Sequence, residues 1–454
     1  MRDDYLKFLA GKAPRAAPAG IEPQPMPSHL FDFQAAATEF CLRQGRAALF
    51  LDTGLGKTVC ELEFSKQAAE TSLILTPLAV ARQIEREAHR FGYDARVIRE
   101  QSDVRPGINI CNYDRLDKLD AGAFGSVCLD ESSILKSFIG ATTRALIEMF
   151  AGTPFRLCAT ATPAPNDHME LGQHAEFLGI MASNEMLARW FVSDQTEMGR
   201  YRLKRHGEEA FWDWMASWAR CAETPDDLGF DGSRFVLPPL KVIRHKVAGD
   251  IRSPAGALFM EDLSATNIHT VKRQTSDARA DAVAALIAAE PSESWLVWTD
   301  TDYEADACMR RIPNAIDVRG SMTPEKKETG LWEFVTSGKP LVTKPSVAGA
   351  GLNFQHCARV AFIGRSFSYE QWYQAVRRCW RFGQEREVHV HLAVAEGEDQ
   401  IGRVIDRKAA DHVRMKRAMA DAMRRNLNTS SDVKVAYTPP HMGRTPKWLI
   451  SSAA

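Results

Sequence analysis

The segment Leu51-Asp52-Thr53-Gly54-Leu55-Gly56-Lys57-Thr58 constrains this chain more than any other, because an apolar run (AALFL) leads into it and a helical pattern follows it. Glycines let backbone N–H groups converge on an anion without side-chain obstruction, and the helix N-terminus adds its partial positive charge. Strand, glycine-bearing turn and helix in that order form a phosphate-binding loop. Lys57 is expected to reach the β- and γ-phosphates of a nucleotide, and Thr58 to place its hydroxyl on Mg²⁺. Thr53, Gly54, Leu55 and Gly56 would complete the loop. Leu51 stands where the full G-x-x-x-x-G-K-[ST] spacing has its first glycine.

A loop of this kind needs a parallel sheet behind it, and the chain has the pattern for two. Short apolar runs (AALFL, SLILT, INICN, SVCLD, FRLCAT) alternate with helical segments such as VARQIEREAHRF. This rhythm predicts parallel strands covered by helices on both faces. It breaks between about 167 and 238, where Trp-, Met-, Glu- and Arg-rich stretches read as helices decorating the first lobe. It resumes from Trp295 with SWLVWT, AIDVRG, PLVTK, RVAFIG and EVHVHLAV. A length of 454 residues accommodates both cores. The expected division is a Pro-rich leader (1–28), a first lobe (29–165), a helical insertion (166–236), a second lobe (237–398) and a basic C-terminal helix and tail (399–454). The fold is expected to start near Ser28, after five prolines in residues 14–27.

The run Val127-Cys128-Leu129-Asp130-Glu131 ends a strand in two carboxylates, which places them in the crevice where open α/β sheets bind ligands. Asp130 would hold Mg²⁺ and Glu131 would act as general base on the attacking water. Nine scattered cysteines, none at C-x-x-C spacing, suggest neither a zinc site nor a disulfide framework. They read as reduced core residues. The chain carries a formal charge of −1, yet residues 403–447 hold eleven Lys/Arg against four Asp/Glu. That basic stretch reads either as a face for phosphates or as a solvated helix surface. Ile401, Val404, Ile405, Ala409, Val413 and Met415 or Met419 fall near one stripe of it. No apolar stretch suits a secretory signal or a membrane span, so a cytoplasmic protein without membrane contact is expected.

The order of these segments resembles the superfamily-two helicases and, within them, the Swi/Snf-type translocases of remodelling enzymes and many phage and bacterial proteins. Phe33-Gln34 resembles the element that reads adenine through its glutamine. LILTPLAVARQIEREAHRF (73–91) and INICNYDRL (108–116) resemble nucleic-acid-contacting segments, and RLCATATPAPND (156–167) resembles the coupling motif. DESSILKS (130–137) stands where the family has an Asp-Glu-Ala-His box, with Ser132 and Ser133 in place of Ala-His. KPSVAGAGLNF (344–354), which includes Gly351, resembles the Gly-rich segment that joins nucleic-acid contact to the nucleotide cleft. QAVRRCWRFGQ (374–384) resembles the arginine motif QAxDRxHRxGQ: Arg378 and Arg381 fall on its arginines, Arg377 replaces an acid and Trp380 a histidine.

The resemblance implies two RecA-like lobes of the P-loop NTPase class, ATP as substrate, Mg²⁺ as cofactor and nucleic acid as partner, most of all double-stranded DNA. It implies that Arg378 and Arg381 reach across to the γ-phosphoryl group. Thr160, Thr162, Thr343, Lys344 and Ser346 are candidate nucleic-acid contacts by position. Two other readings stay open: a strand-separating DNA or RNA helicase of another branch, and a non-motor switch that closes on DNA when ATP binds. The sequence names no protein partner.

Overall fold

The computed structural model describes residues 14–77, 80–136, 140–193, 201–247, 265–348, 353–395 and 399–430. The first lobe is built on β1 (Arg46–Leu51), β2 (Thr71–Thr76), β3 (Ala95–Val97), β4 (Gly107–Asn112), β5 (Ser126–Asp130) and β6 (Phe155–Ala159). A short ribbon of β7 (Phe191–Ser193) and β8 (Tyr201–Leu203) follows, and then β9 (Ala219–Ala222). The main sheet runs β3-β4-β2-β5-β6-β1-β9, parallel throughout. The central strands are apolar at nearly every position because helices cover both faces, and β1 is buried from Ala47 to Leu51.

The second lobe contains β10 (Leu240–Val247), β11 (Trp295–Trp298), β12 (Ile316–Val318), β13 (Leu341–Thr343), β14 (Arg359–Phe362) and β15 (Val388–Ala395). Its sheet, also parallel, runs β10-β15-β14-β11-β13-β12. Two parallel α/β lobes are therefore present, as the alternating rhythm predicts. All nine cysteines are buried and unbridged. Among the described residues, no helix is long and apolar enough to cross a membrane.

The segment 166–236 is not wholly helical. It holds the helices Leu171–Phe177, Ser183–Trp190 and Glu208–Ala216, but also the β7–β8 ribbon and β9, which pairs with β1 from Ala48↔Ala219 to Leu51↔Ala222. Ala219-Arg220-Cys221-Ala222 carries little strand preference of its own but pairs in parallel with the open edge of β1, so pairing overrides local preference. The Trp-rich stretch does not decorate the lobe either. Trp190, Phe211, Trp212, Trp214 and Trp218 are buried in the first core and pack on one another.

Two further expectations change. The leader from residue 14 is docked: Ala19, Gly20 and Ile21 donate backbone hydrogen bonds to Gln44, Arg43 and Leu42, and the Ala16 N–H donates to the Ser217 hydroxyl at 3.0 Å. The three backbone bonds satisfy carbonyls at the end of the helix Asp32–Gln44, which its own backbone leaves open. The C-terminal helix (Asp399–Ser430) is not simply a solvated basic face. Ile401 and Ile405 pack against Tyr369 of the second lobe, whereas Met415, Met419 and Met423 enter the first lobe's core. Val413 is instead exposed. Arg424 pairs with Asp227 at 2.7 Å and Arg425 with Asp213 at 2.8 Å, so part of the basic charge is matched by first-lobe acids.

Candidate nucleotide site between the lobes

The phosphate loop connects β1 to the helix Lys57–Ala68. Gly54 and Gly56 have φ of 95° and 77°, in the left-handed region that suits glycine. Each also lets something approach closely. A Cβ on Gly56 would lie 2.3 Å from Gln34 Nε2, and one on Gly54 would lie 3.0 Å from the backbone N of Phe382 in the second lobe. The Gln34 amide donates to the Leu55 carbonyl at 2.9 Å and its oxygen accepts from the Phe31 N–H at 3.0 Å. Gln34 is thus fixed against the loop. Lys57 donates to the Leu51 carbonyl at 3.0 Å and to the Asp52 carbonyl at 3.4 Å, which orients its ammonium in the loop. Thr53 and Thr58 are half-buried at its rim.

Asp130 and Glu131 close β5 beside this loop. Asp130 accepts from the Thr76 hydroxyl at 2.8 Å. Burial and the adjacent Glu131 push its carboxyl up to about 6, against the pull of Lys57 and Arg378. Two half-buried carboxylates side by side repel one another unless a cation offsets their charge, so this donor chemistry fits Mg²⁺, with Asp130 and Thr58 as candidate holders. Glu131 has φ 58°, uncommon for a residue with a Cβ. Its Oε1 accepts from the Thr160 hydroxyl at 2.5 Å and from the Ser133 hydroxyl at 3.0 Å. The side chain is held in place by the residue just after β6 and by the serine that replaces the histidine of the resembling box.

From the second lobe, the helix Tyr369–Val376 and the turn after it bring Arg377, Arg378 and Arg381 to the cleft. Arg378 is buried, and burial draws its guanidinium down to about 10 while Glu131 and then Asp130 hold it up. Both of these carboxylates belong to the first lobe. Arg381 is lowered to about 9, by burial and then by Arg378 and Arg377, with Glu87 opposing. It also donates to the Asn353 side chain. Arg377 turns to the phosphate loop itself and donates from Nη2 to Asp52 Oδ2 at 2.8 Å and to the Thr53 carbonyl at 2.9 Å. Lys136 to Glu370 (2.5 Å) and Arg86 to Glu328 (3.2 Å) tie the lobes elsewhere.

The candidate nucleic-acid positions divide. Thr160 and Thr162 have no exposed surface, and Thr343 is buried with its hydroxyl donating to the Val318 carbonyl at 2.8 Å. Direct contact with a polymer is not available to these three in this arrangement, because each ends a central strand or follows one into the crevice. Lys344, paired with Asp302 at 2.9 Å, and the exposed Ser346 remain reachable. Gly351 lies outside the described residues.

Sequence reasoning missed several members of the site. Asp52 binds Arg377 and Tyr373, and Lys416 of the C-terminal helix lies 3.5 Å from it. An arginine at 377 where the resembling motif has an acid was the available signal that an acid faces it. Glu61, one turn beyond Lys57, is buried with neither carboxylate oxygen hydrogen-bonded. Burial and then Asp130 raise its pKa well above the usual range. Nothing in the pattern KTVCELEF marks it out from an exposed helical glutamate.

Lys57→Ala is expected to lower nucleotide turnover by roughly 10²–10³ while the fold persists, since the change removes one cation from a half-exposed loop. Turnover and thermal melting measured together check this. A fall in melting temperature that accounts for the loss would contradict it.

Residues 278–383 match the family model described as the helicase conserved C-terminal domain. The matched stretch runs through most of the second lobe and includes Arg378 and Arg381. The match indicates a superfamily-two helicase-type protein, and so a nucleic-acid motor of the helicase or translocase type. No curated protein matches the chain.

Proposed function

We propose that this chain hydrolyses Mg-ATP between its two lobes and uses the cycle to translocate on double-stranded DNA, as members of the Swi/Snf-like branch do. The observation that carries this reading is that the arginine turn of the second lobe meets the phosphate loop of the first: Arg377 donates to Asp52 at 2.8 Å, and the next residue, Arg378, is buried. On this reading a phosphate cradle, a general base and a positive charge from the second lobe would act on one phosphoryl group. A pure ATP-gated binder has no use for that base.

In this mechanism Gln34 braces the loop, the backbone of 53–58 cradles the phosphates and Lys57 turns from the loop carbonyls onto the β- and γ-phosphates. Glu131, fixed by Thr160 and Ser133, takes the proton of the attacking water. Arg378 neutralises charge that develops on the γ-phosphoryl oxygens. Bound at Asp130 and Thr58, Mg²⁺ would supply charge neutralisation on the phosphate oxygens. Thr160 gives the link to movement. It lies within the coupling motif and ties the base to it, so a shift there moves Glu131 in or out of line.

The test is the ATPase rate of the intact chain with duplex DNA, single-stranded DNA and RNA supplied separately. Duplex DNA is expected to stimulate most, and the apparent affinity for it to fall by orders of magnitude between about 50 and 200 mM salt if several phosphates are contacted. Stimulation by RNA alone would favour a strand-separating helicase. DNA binding that depends on ATP without any turnover would favour the switch.

A further inference from the structure

The Asp52 carboxylate gathers more partners than any other group of the phosphate loop, and most come from distant parts of the chain. Its Oδ1 accepts from the Thr53 N–H at 2.7 Å and from the Tyr373 hydroxyl; its Oδ2 accepts from Arg377 Nη2 at 2.8 Å. Lys416 Nζ lies 3.5 Å from Oδ1, 3.5 Å from the Tyr373 hydroxyl and 3.8 Å from Glu223. Burial alone would raise the Asp52 pKa, but Lys416, then Arg377, reverse this and keep the carboxylate ionised.

Lys416 is the unexpected member. It is only 1% exposed and sits between Met415 and Met419, which both enter the first lobe's core. A methionine there would avoid the cost of dehydrating an ammonium, and buried ion pairs are weak stabilisers compared with apolar packing. What a lysine adds at this position is a charge aimed at Asp52. The consequence reaches Lys57, because the Asp52 backbone carbonyl is one of the two that hold the Lys57 ammonium. The C-terminal helix is anchored on the second lobe through Ile401 and Ile405 and on the first through Met415, Met419 and Met423. Separating the lobes must pull at this helix or at the Arg377 and Tyr373 contacts to the same carboxylate.

We propose that Lys416 is a positioning residue for ATP turnover: with Tyr373 and Arg377 it holds Asp52, so that the C-terminal helix and the second lobe set the phosphate loop only when the lobes are closed. This rests on the ATPase reading above.

The experiment compares the full chain with Lys416→Met, Asp52→Asn and the pair, measuring kcat and KM for ATP with saturating duplex DNA alongside thermal melting. Lys416→Met is expected to lower kcat by roughly 3- to 30-fold, the range of coupling carried by such networks, with a much smaller change in KM. In the Asp52→Asn background the same substitution should have little further effect, a non-additivity that lost core packing would not produce. Lys416→Arg should recover part of the rate. If Lys416→Met does not fold, Tyr373→Phe carries the test, since it removes only the hydroxyl between Asp52 and Lys416; a lowered kcat at normal melting temperature is expected. Unchanged kcat in whichever variant folds, or a Lys416→Met loss of equal size with and without Asp52, overturns the inference while leaving the ATPase reading intact. Absence of turnover in the wild-type chain under every nucleic acid overturns that reading, and the inference with it.

Discussion

Arg378→Ala is expected to lower nucleic-acid-stimulated ATP turnover by roughly 10³–10⁵ while nucleotide affinity stays within a few-fold, as loss of an arginine finger does. The expectation follows from where the guanidinium stands. It is buried with Glu131 and Asp130 as its charged neighbours, although they lie about 250 residues earlier in the chain and in the other lobe. In the proposed mechanism the loop holds ground-state ATP, so affinity should fall little, whereas charge that develops in the transition state loses its partner, so rate should fall greatly. Arg378→Lys should rescue poorly, because a point charge does not reproduce the planar fork on phosphate oxygens. Arg381→Ala should cost less than Arg378→Ala, since Arg381 is engaged with Asn353 and faces Glu87. Equal losses at the two positions would reassign the finger.

Glu131→Gln carries the second large effect: turnover lower by roughly 10²–10⁴ with Mg-ATP binding retained. The amide preserves shape but does not accept a proton. Thr160 and Ser133 both donate to Glu131 Oε1, and the amide oxygen of the substituted side chain can accept both bonds, so the backbone at φ 58° has no new reason to move. Unhydrolysed ATP then keeps the lobes closed, and the variant should show a larger rise in melting temperature with Mg-ATP than the wild-type chain, because ligand persists on the native state. Turnover at the wild-type rate would mean that another group, such as the buried Glu61 of the helix after the phosphate loop, takes the proton.

Each of the ten apolar runs read as strands is a strand, because a parallel strand buried on both faces needs continuous apolar residues and little else in a sequence does. β10 escaped for the opposite reason. LKVIRHKV alternates charge with apolar residues because it is the outer strand of its sheet, bonded only to β15, and reads as a polar connection. β9 escaped because a four-residue stretch of Ala, Arg, Cys and Ala carries no periodicity of its own; β1 supplies the pairing. The same divide runs through the site. Lys57, Thr58, Asp130, Glu131 and Arg378 stand out as candidates because motif order marks them locally. Asp52, Glu61 and Lys416 do not, because their meaning lies in what other segments place beside them. Lys416 belonged to an apparently solvated basic helix, and only its neighbours Met415 and Met419 hint that it faces inward.

The central claim is that two lobes make one catalytic site, and the measurement that tests it most directly is a double-mutant cycle on kcat of the intact chain with duplex DNA. It compares Glu131→Gln, Arg378→Ala and the combination. Groups that act as a unit on one transition state do not lose their effects independently, so the combined variant should turn over ATP at about the rate of the worse single variant. Losses that multiply, with the combined variant slower by the product of the two factors, would contradict the account, because they would mean that Glu131 and Arg378 act in separate steps or at separate places.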